Sequence, residues 1–223
     1  MTGLLLSDDA VLVVVDVQRG FGDSAYWGER DNPEAERNIA ALLAEWRSRG
    51  RPVVFVRHDS TDQSSPLYPG TSGHLFQDVI TGEPDLLVRK SVNSSFHGDP
   101  DLHAWLQARG ASQVVVCGIT TNHCCETTAR VAGNLGYDTY VALDATHTFD
   151  RLSPDGELVP AATLARITAT NLHGEFATVV STAAVVDSAS GQGGRRAAAD
   201  SAPPNRSART KTRHAGRSAT SSA

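Results

Sequence analysis

Along the first 187 residues, short apolar runs alternate with longer stretches in which apolar positions recur every three or four residues. The runs are VLVVVD (11–16), PVVFVR (52–57), LLV (86–88), QVVVCG (113–118), TYVALD (139–144) and FATVV (176–180). Each is short, mostly β-branched and apolar on both faces, which predicts strands covered on both sides; strands so covered are parallel. Between them lie PEAERNIAALLAEWRSRG, DPDLHAWLQARG, CCETTARVAGNLG and PAATLARITATNLHG, whose spacing predicts helices. The first of these is read with Asn32 as its N-cap and Gly50 as its C-terminal glycine. A strand–helix–strand series of this kind predicts an α/β fold, a doubly wound and mainly parallel six-stranded sheet with helices on both faces. No self-similar repeat interrupts it.

The pattern stops at Ser188. From there to Ala223 no large apolar residue occurs, so nothing offsets the entropy of ordering the segment, and 188–223 is expected to be a disordered tail behind a single domain at 1–187. The tail holds 7 of the 20 Lys+Arg and 1 of the 25 Asp+Glu, a net +6, which leaves 13 against 24 and a net −11 in the domain. An acidic domain argues against nucleic acid as its substrate. The basic tail could touch nucleic acid or an acidic partner, or be a solvated extension. Three cysteines, two of them adjacent, make no disulfide framework, and no Cys/His spacing suggests zinc, so reduced thiols and no metal or other cofactor are expected. The N-terminus lacks a basic segment followed by a long apolar one, and no run approaches the roughly 18 apolar residues of a membrane span. A cytoplasmic protein with no membrane partner is the expectation.

In a doubly wound sheet, ligands bind beyond the carboxyl ends of the strands. Those ends offer Asp16, His58 and Asp59, Lys90, the segment from Gly118 to Cys125, and Asp144. Cys124 and Cys125 fall in the first turn of a helix, with Thr121 or Asn122 as its cap, where unpaired N–H groups and the helix dipole favour a thiolate. Helical spacing does not choose between the two. All three cysteines could equally be small core residues, and Cys117, inside a strand, is read that way. Asp16 could be a turn-former, or could take a proton from a nearby thiol. Lys90 could be a solvated ammonium, or could balance the charge of a thiolate and a carboxylate beside it. Phe21, Trp27, Tyr68 and Phe96 lie in loops near the strand ends and are candidate walls for a small organic substrate.

At these positions the chain resembles the isochorismatase-like cysteine hydrolases. The resemblance rests on DVQRGF (16–21), RKSVNSSF (89–96) and GITTNHC (118–124), which occur in that family's order, and it runs from about Val11 to Val180. It implies a Rossmann-like sheet, a catalytic trio of Asp16, Lys90 and Cys124, and a cis peptide between Ile119 and Thr120. That bond would aim the Thr120 N–H, with that of Cys124, at an oxyanion. It also implies hydrolysis of a small-molecule substrate and self-association into a homo-oligomer. Cys124 is then the nucleophile and Cys125 takes a core position.

Members of that family cleave amides, carbamoyl and ureido compounds, a lactam, or, for isochorismate, a vinyl ether. The last needs no cysteine, so an intact trio favours C–N hydrolysis over the vinyl ether reaction and over a non-catalytic binding module. Metal-dependent nicotinamidases carry an Asp-x-His pair after the second strand; here His58 precedes Asp59 and His74 is distant, so a metal there is not expected. His58 and His123 are read instead as substrate contacts. A competing pattern also exists: Gly22, Asp23 and Ser24 spell the GDS of another esterase class, and Asp144 with His147 spells its D-x-x-H. In that class, however, the GDS directly follows the first strand and the D-x-x-H closes the domain.

Overall fold

The structure is a computed structural model that describes residues 4–189. Its main sheet has six strands, β1 (Val11–Val15), β2 (Val53–His58), β3 (Leu86–Lys90), β4 (Gln113–Ile119), β5 (Asp138–His147) and β8 (Thr178–Val180). They lie in the order β3-β2-β1-β4-β5-β8, every pair parallel. All six apolar runs therefore became strands of the one sheet. The order reverses between β1 and β4, which puts the switch point beside Asp16.

Alternation along the central strands explains the layers. Leu12 and Val14 of β1, with Val115 and Cys117 of β4, face a core built with Ile39, Leu42, Leu43 and Trp46 of α2 (Ala35–Ser48) and Val185 of α6 (Thr182–Ala189). Val11, Val13 and Val15 face the opposite core, closed by Leu102 and Leu106 of α3 (Leu102–Ala108), Ala129 and Ala132 of α4 (Glu126–Asn134) and Leu172 of α5 (Ala161–Leu172). A short helix, α1 (Ser24–Trp27), and a two-strand hairpin, β6 (Arg151–Leu152) with β7 (Leu158–Val159), flank the carboxyl edge.

Two local expectations need correcting. Asn32 does not cap α2: the N-cap is Glu34, without a side-chain bond, and Asn32 sits at φ 39°. Its amide instead donates to the carbonyls of Asp144 (3.0 Å) and Thr146 (2.6 Å), and Asn38 donates to the same Asp144 carbonyl (2.6 Å). Two asparagine amides thus bind carbonyls in the part of β5 where its register against β4 shifts. Gly50, by contrast, has the positive φ (62°) of a helix-ending glycine. The boundary at residue 187 falls inside α6, where the Ser188 hydroxyl donates to the Leu4 carbonyl (2.7 Å) and accepts from the Leu6 N–H (3.1 Å). The rest of the expected tail, from residue 190 on, lies outside the described residues.

Candidate active site

Asp16 follows the last residue of β1 with φ 52° and no solvent exposure, its N–H bonded to the Val56 carbonyl (3.0 Å). Parallel pairing of β2 with β3 sets His58 opposite Lys90, so the lysine ends one strand away from the aspartate's neighbour. The Lys90 ammonium donates to Asp16 Oδ2, lies 3.4 Å from Cys124 Sγ and 3.3 Å from His58 Nδ1, and is buried. Asp16 Oδ1 is buried with no hydrogen-bond partner. Four side chains from the ends of four different elements thus meet at one ammonium group.

Cys124 reaches this point because of Gly118. At φ 124°, with a Cβ at that place falling 2.0 Å from the Val15 carbonyl oxygen, only glycine lets β4 run that close to β1. The Ile119–Thr120 peptide is cis, and the chain then turns through a π-helical segment, Thr121–Cys125, before α4 begins. Neither Thr121 nor Asn122 caps that turn. The Thr121 hydroxyl donates to Thr146 Oγ1 (2.8 Å) and Asn122 accepts from the Thr148 hydroxyl (2.5 Å), which pins the turn to β5 instead. Wider π winding separates what helical spacing left equivalent: Cys124 faces Lys90, while Cys125, 1% exposed, packs in the core behind it. Gln18 completes the frame, accepting from the His58 N–H (2.8 Å) and donating to the His58 and His74 carbonyls (3.0 and 3.1 Å).

Electrostatics follow from burial. Burial, then the nearby Asp16 charge, pushes the Cys124 thiol up to about 12, with Lys90 pulling the other way. Cys124 therefore rests as a thiol near neutral pH and needs a base to become a nucleophile. For Lys90, burial disfavours the ammonium, but Asp16 and Cys124 together outweigh it and hold its pKa above the ordinary lysine value. Burial and then Lys90 lower His58, leaving a neutral imidazole beside the ammonium. Cys117 and Cys125 are raised as well, chiefly by burial in the apolar layers.

A cavity of about 120 Å³ opens onto Cys124. Phe21, Trp27 and Leu67 form its apolar wall; the two ring centroids lie 5.0 Å apart with the planes tilted by 35°, and Trp27 Nε1 donates to the Gly20 carbonyl (2.9 Å). His58, Asn93, Thr120, His123 and Arg151 supply polar groups, with Asn93 Oδ1 3.8 Å from the thiol. The description "Isochorismatase domain" matches residues 10–184 of the chain. The chain belongs to the isochorismatase family.

It is accordingly a hydrolase. It is similar to the isochorismatase family protein YrdC of Bacillus subtilis, 38% identical over 79% of this chain and 94% of that one. Streptothricin hydrolase of Streptomyces noursei is 35% identical over 78% of this chain and 63% of its own. Nicotinamidase 3 of Arabidopsis thaliana is 30% identical over 63% of this chain and 74% of its own. Among solved structures, an isochorismatase-family hydrolase from Chromobacterium violaceum superposes with a TM-score of 0.80 at 34% identity, covering 85% of this chain and 98% of that one. A cysteine hydrolase from Pseudomonas syringae pv. phaseolicola gives 0.74 at 26% identity, covering 86% and 99%.

Within this isochorismatase-family site, the structure brings together Asp16, Lys90, Cys124, Thr120 and, around the cavity, Phe21, Trp27, His58 and His123. Tyr68 does not line the cavity; its neighbour Leu67 does. Phe96 turns the other way, stacking on Tyr137 at 6.0 Å and packing against the core beneath α3 and α4. Leu67 and Arg151 have no signal in the sequence beyond their positions in a loop and in a two-residue strand, while Asn93 lies within the RKSVNSSF segment without being singled out there. Asp16, His58 and Cys124 place ligand atoms within 4.8 Å of one another, but the Lys90 ammonium contacts all three and stands where an ion would have to sit. His74 is held 2.7 Å from Asp59 rather than facing His58. The GDS alternative does not assemble: Ser24 is exposed, Asp144 accepts from Thr182, and His147 is buried 3.6 Å from Glu36.

Proposed function

We propose that this isochorismatase-family hydrolase cleaves a C–N bond of a small molecule, in an amide, carbamoyl, ureido or lactam group, through a Cys124 thioester. One observation carries the reading: a buried, protonated thiol shares an ammonium with a carboxylate whose second oxygen has no partner. A thiol so far above its usual pKa gains nothing from lying beside Lys90 unless a base is at hand, and Asp16 is that base. Asp16 takes the Sγ proton as Cys124 attacks the carbonyl carbon and the carbonyl π pair moves to oxygen. The Thr120 and Cys124 N–H groups receive that oxyanion. Collapse expels the amine, which leaves with the proton from Asp16. Water then gives a proton to Asp16, adds to the thioester, and releases the acid while the thiol is restored.

Two relatives named streptothricin hydrolase and nicotinamidase favour C–N over vinyl ether cleavage. Release of ammonia or amine from a panel of primary amides, carbamoyl and ureido compounds and lactams is the test. Cys124→Ala and Asp16→Asn are each expected to lower kcat by about 10³-fold or more, while Cys125→Ala keeps most of the wild-type rate. Turnover surviving Cys124→Ala would show cysteine-independent chemistry and overturn the proposal. The same reading includes self-association, and light scattering that returns only monomer would remove that part.

A further inference from the structure

We propose that Arg151 is a carboxylate-binding residue, so that the substrate is a small amide or ureide that also bears a carboxylate. The inference rests on the amidohydrolase reading and adds the substrate's charge to it. Among the residues lining the cavity, Arg151 carries the one formal charge: His58 and His123 are neutral imidazoles, Cys124 is a thiol, and the rest are uncharged. Behind Cys124, Lys90 and Asp16 offset each other. The cavity is therefore a net cation with no resident anion.

The guanidinium has no partner of its own. Among the described residues no carboxylate pairs with it, no side-chain hydrogen bond reaches it, and its Nε is buried and unsatisfied. A buried donor left without an acceptor costs stability, so its retention in a cavity wall points to an acceptor brought by a ligand. Neighbouring acids are committed elsewhere. Glu126, whose charge reaches the adjacent His123, bonds Arg130 (2.6 Å) and the Thr168 hydroxyl (2.6 Å), and Asp150 accepts from the Ala161 N–H (2.7 Å). The β6–β7 hairpin holds the arginine by backbone pairing, Arg151 with Val159, so the side chain is free to serve the cavity. An arginine fork matches a carboxylate in two parallel N–H···O bonds, a geometry that fixes the acid end while the carbonyl end lies at Cys124. With about 120 Å³ to fill, the two groups must be separated by only a few atoms.

Binding and turnover test this separately on the full chain. Titration calorimetry with malonate and succinate, against malonamide and succinamide, reads recognition without chemistry. Wild type is expected to bind the dianions at least about tenfold more tightly than the diamides, Arg151→Met to lose that difference, and Arg151→Lys to recover part of it. Equal binding of acids and amides by wild type, or a preference that survives Arg151→Met in a variant with wild-type melting temperature, overturns the proposal. In turnover, malonamate and N-carbamoylglycine are compared with malonamide and N-carbamoylglycinamide. The expected loss in Arg151→Met falls on KM for the acids with kcat little changed. Hydrolysis of the neutral amides at rates equal to the acids sinks the carboxylate assignment and leaves the amidohydrolase reading standing. Dianion binding through Arg151 with no C–N hydrolysis does the reverse.

Discussion

Single residues decide whether this site can form. Gly118 is the sharpest case, because its positive φ and the 2.0 Å approach of a would-be Cβ to Val15 oxygen leave no room for adjustment by a side chain. Gly118→Ala is expected to cost about 2–4 kcal/mol of stability, read as a lower urea midpoint, and to abolish turnover by moving β4 away from β1. A variant that folds and works like wild type would show that β4 can shift freely. His147 makes a second residue-scale prediction. It is fully buried, and burial, then the Arg30 charge, lowers its pKa from 6.5 to about 4. The unfolded chain therefore takes up its proton first, so stability present above pH 6.5 is lost as pH falls toward 4. His147→Asn should flatten the fall of melting temperature across that window; an unchanged slope would assign it to other groups. Asp16, Lys90 and Cys124 were legible in the sequence because each closes a recognisable strand or opens a recognisable turn. Arg151 was not, since a cation in a loop looks like any solvated arginine until the hairpin folds it against the cavity. Tyr68 and Phe96 show the converse: nearness to a strand end along the chain does not say which way a ring turns.

At the scale of elements, the six strands could be read because a strand covered on both faces has an unmistakable run of β-branched residues. The caps could not, because asparagine and threonine side chains bond whatever backbone or hydroxyl the fold brings near. The asparagine expected at the start of α2 holds the far part of β5, and the threonine expected to cap the turn carrying Cys124 holds that same strand. The turn carrying Cys124 is thus tethered sideways rather than capped. Thr146→Val removes the acceptor for the Thr121 hydroxyl and is expected to lower kcat about tenfold while moving the melting temperature by only a few degrees. If kcat held and stability alone fell, the tether would be structural and unrelated to placing the thiol.

For the molecule as a whole, both ends of the described chain close the same core, Leu4 and Leu6 packing against it together with Val185 and Val186. α6 places Val185 in the core against α2 and ties Ser188 to Leu4 and Leu6, so this helix clamps the segment that leads into β1. A chain ending at Ser181 is expected to melt well below the full chain, whereas one ending at Ala189 keeps the clamp; equal melting of all three would deny it any role. α6 was not legible beforehand, since its small residues resemble the composition that follows. Among the described residues no helix is long and apolar enough to cross a membrane.

The buried ion pair has a consequence for how the enzyme responds to its medium. Lys90 and Asp16 are both shut away from solvent, so dissolved ions cannot gather around either charge. Arg151, only partly buried, has no such shelter. Adding salt should therefore leave kcat flat while weakening the grip on an anionic substrate, so that ionic strength acts as a dial on recognition and leaves the chemical step untouched.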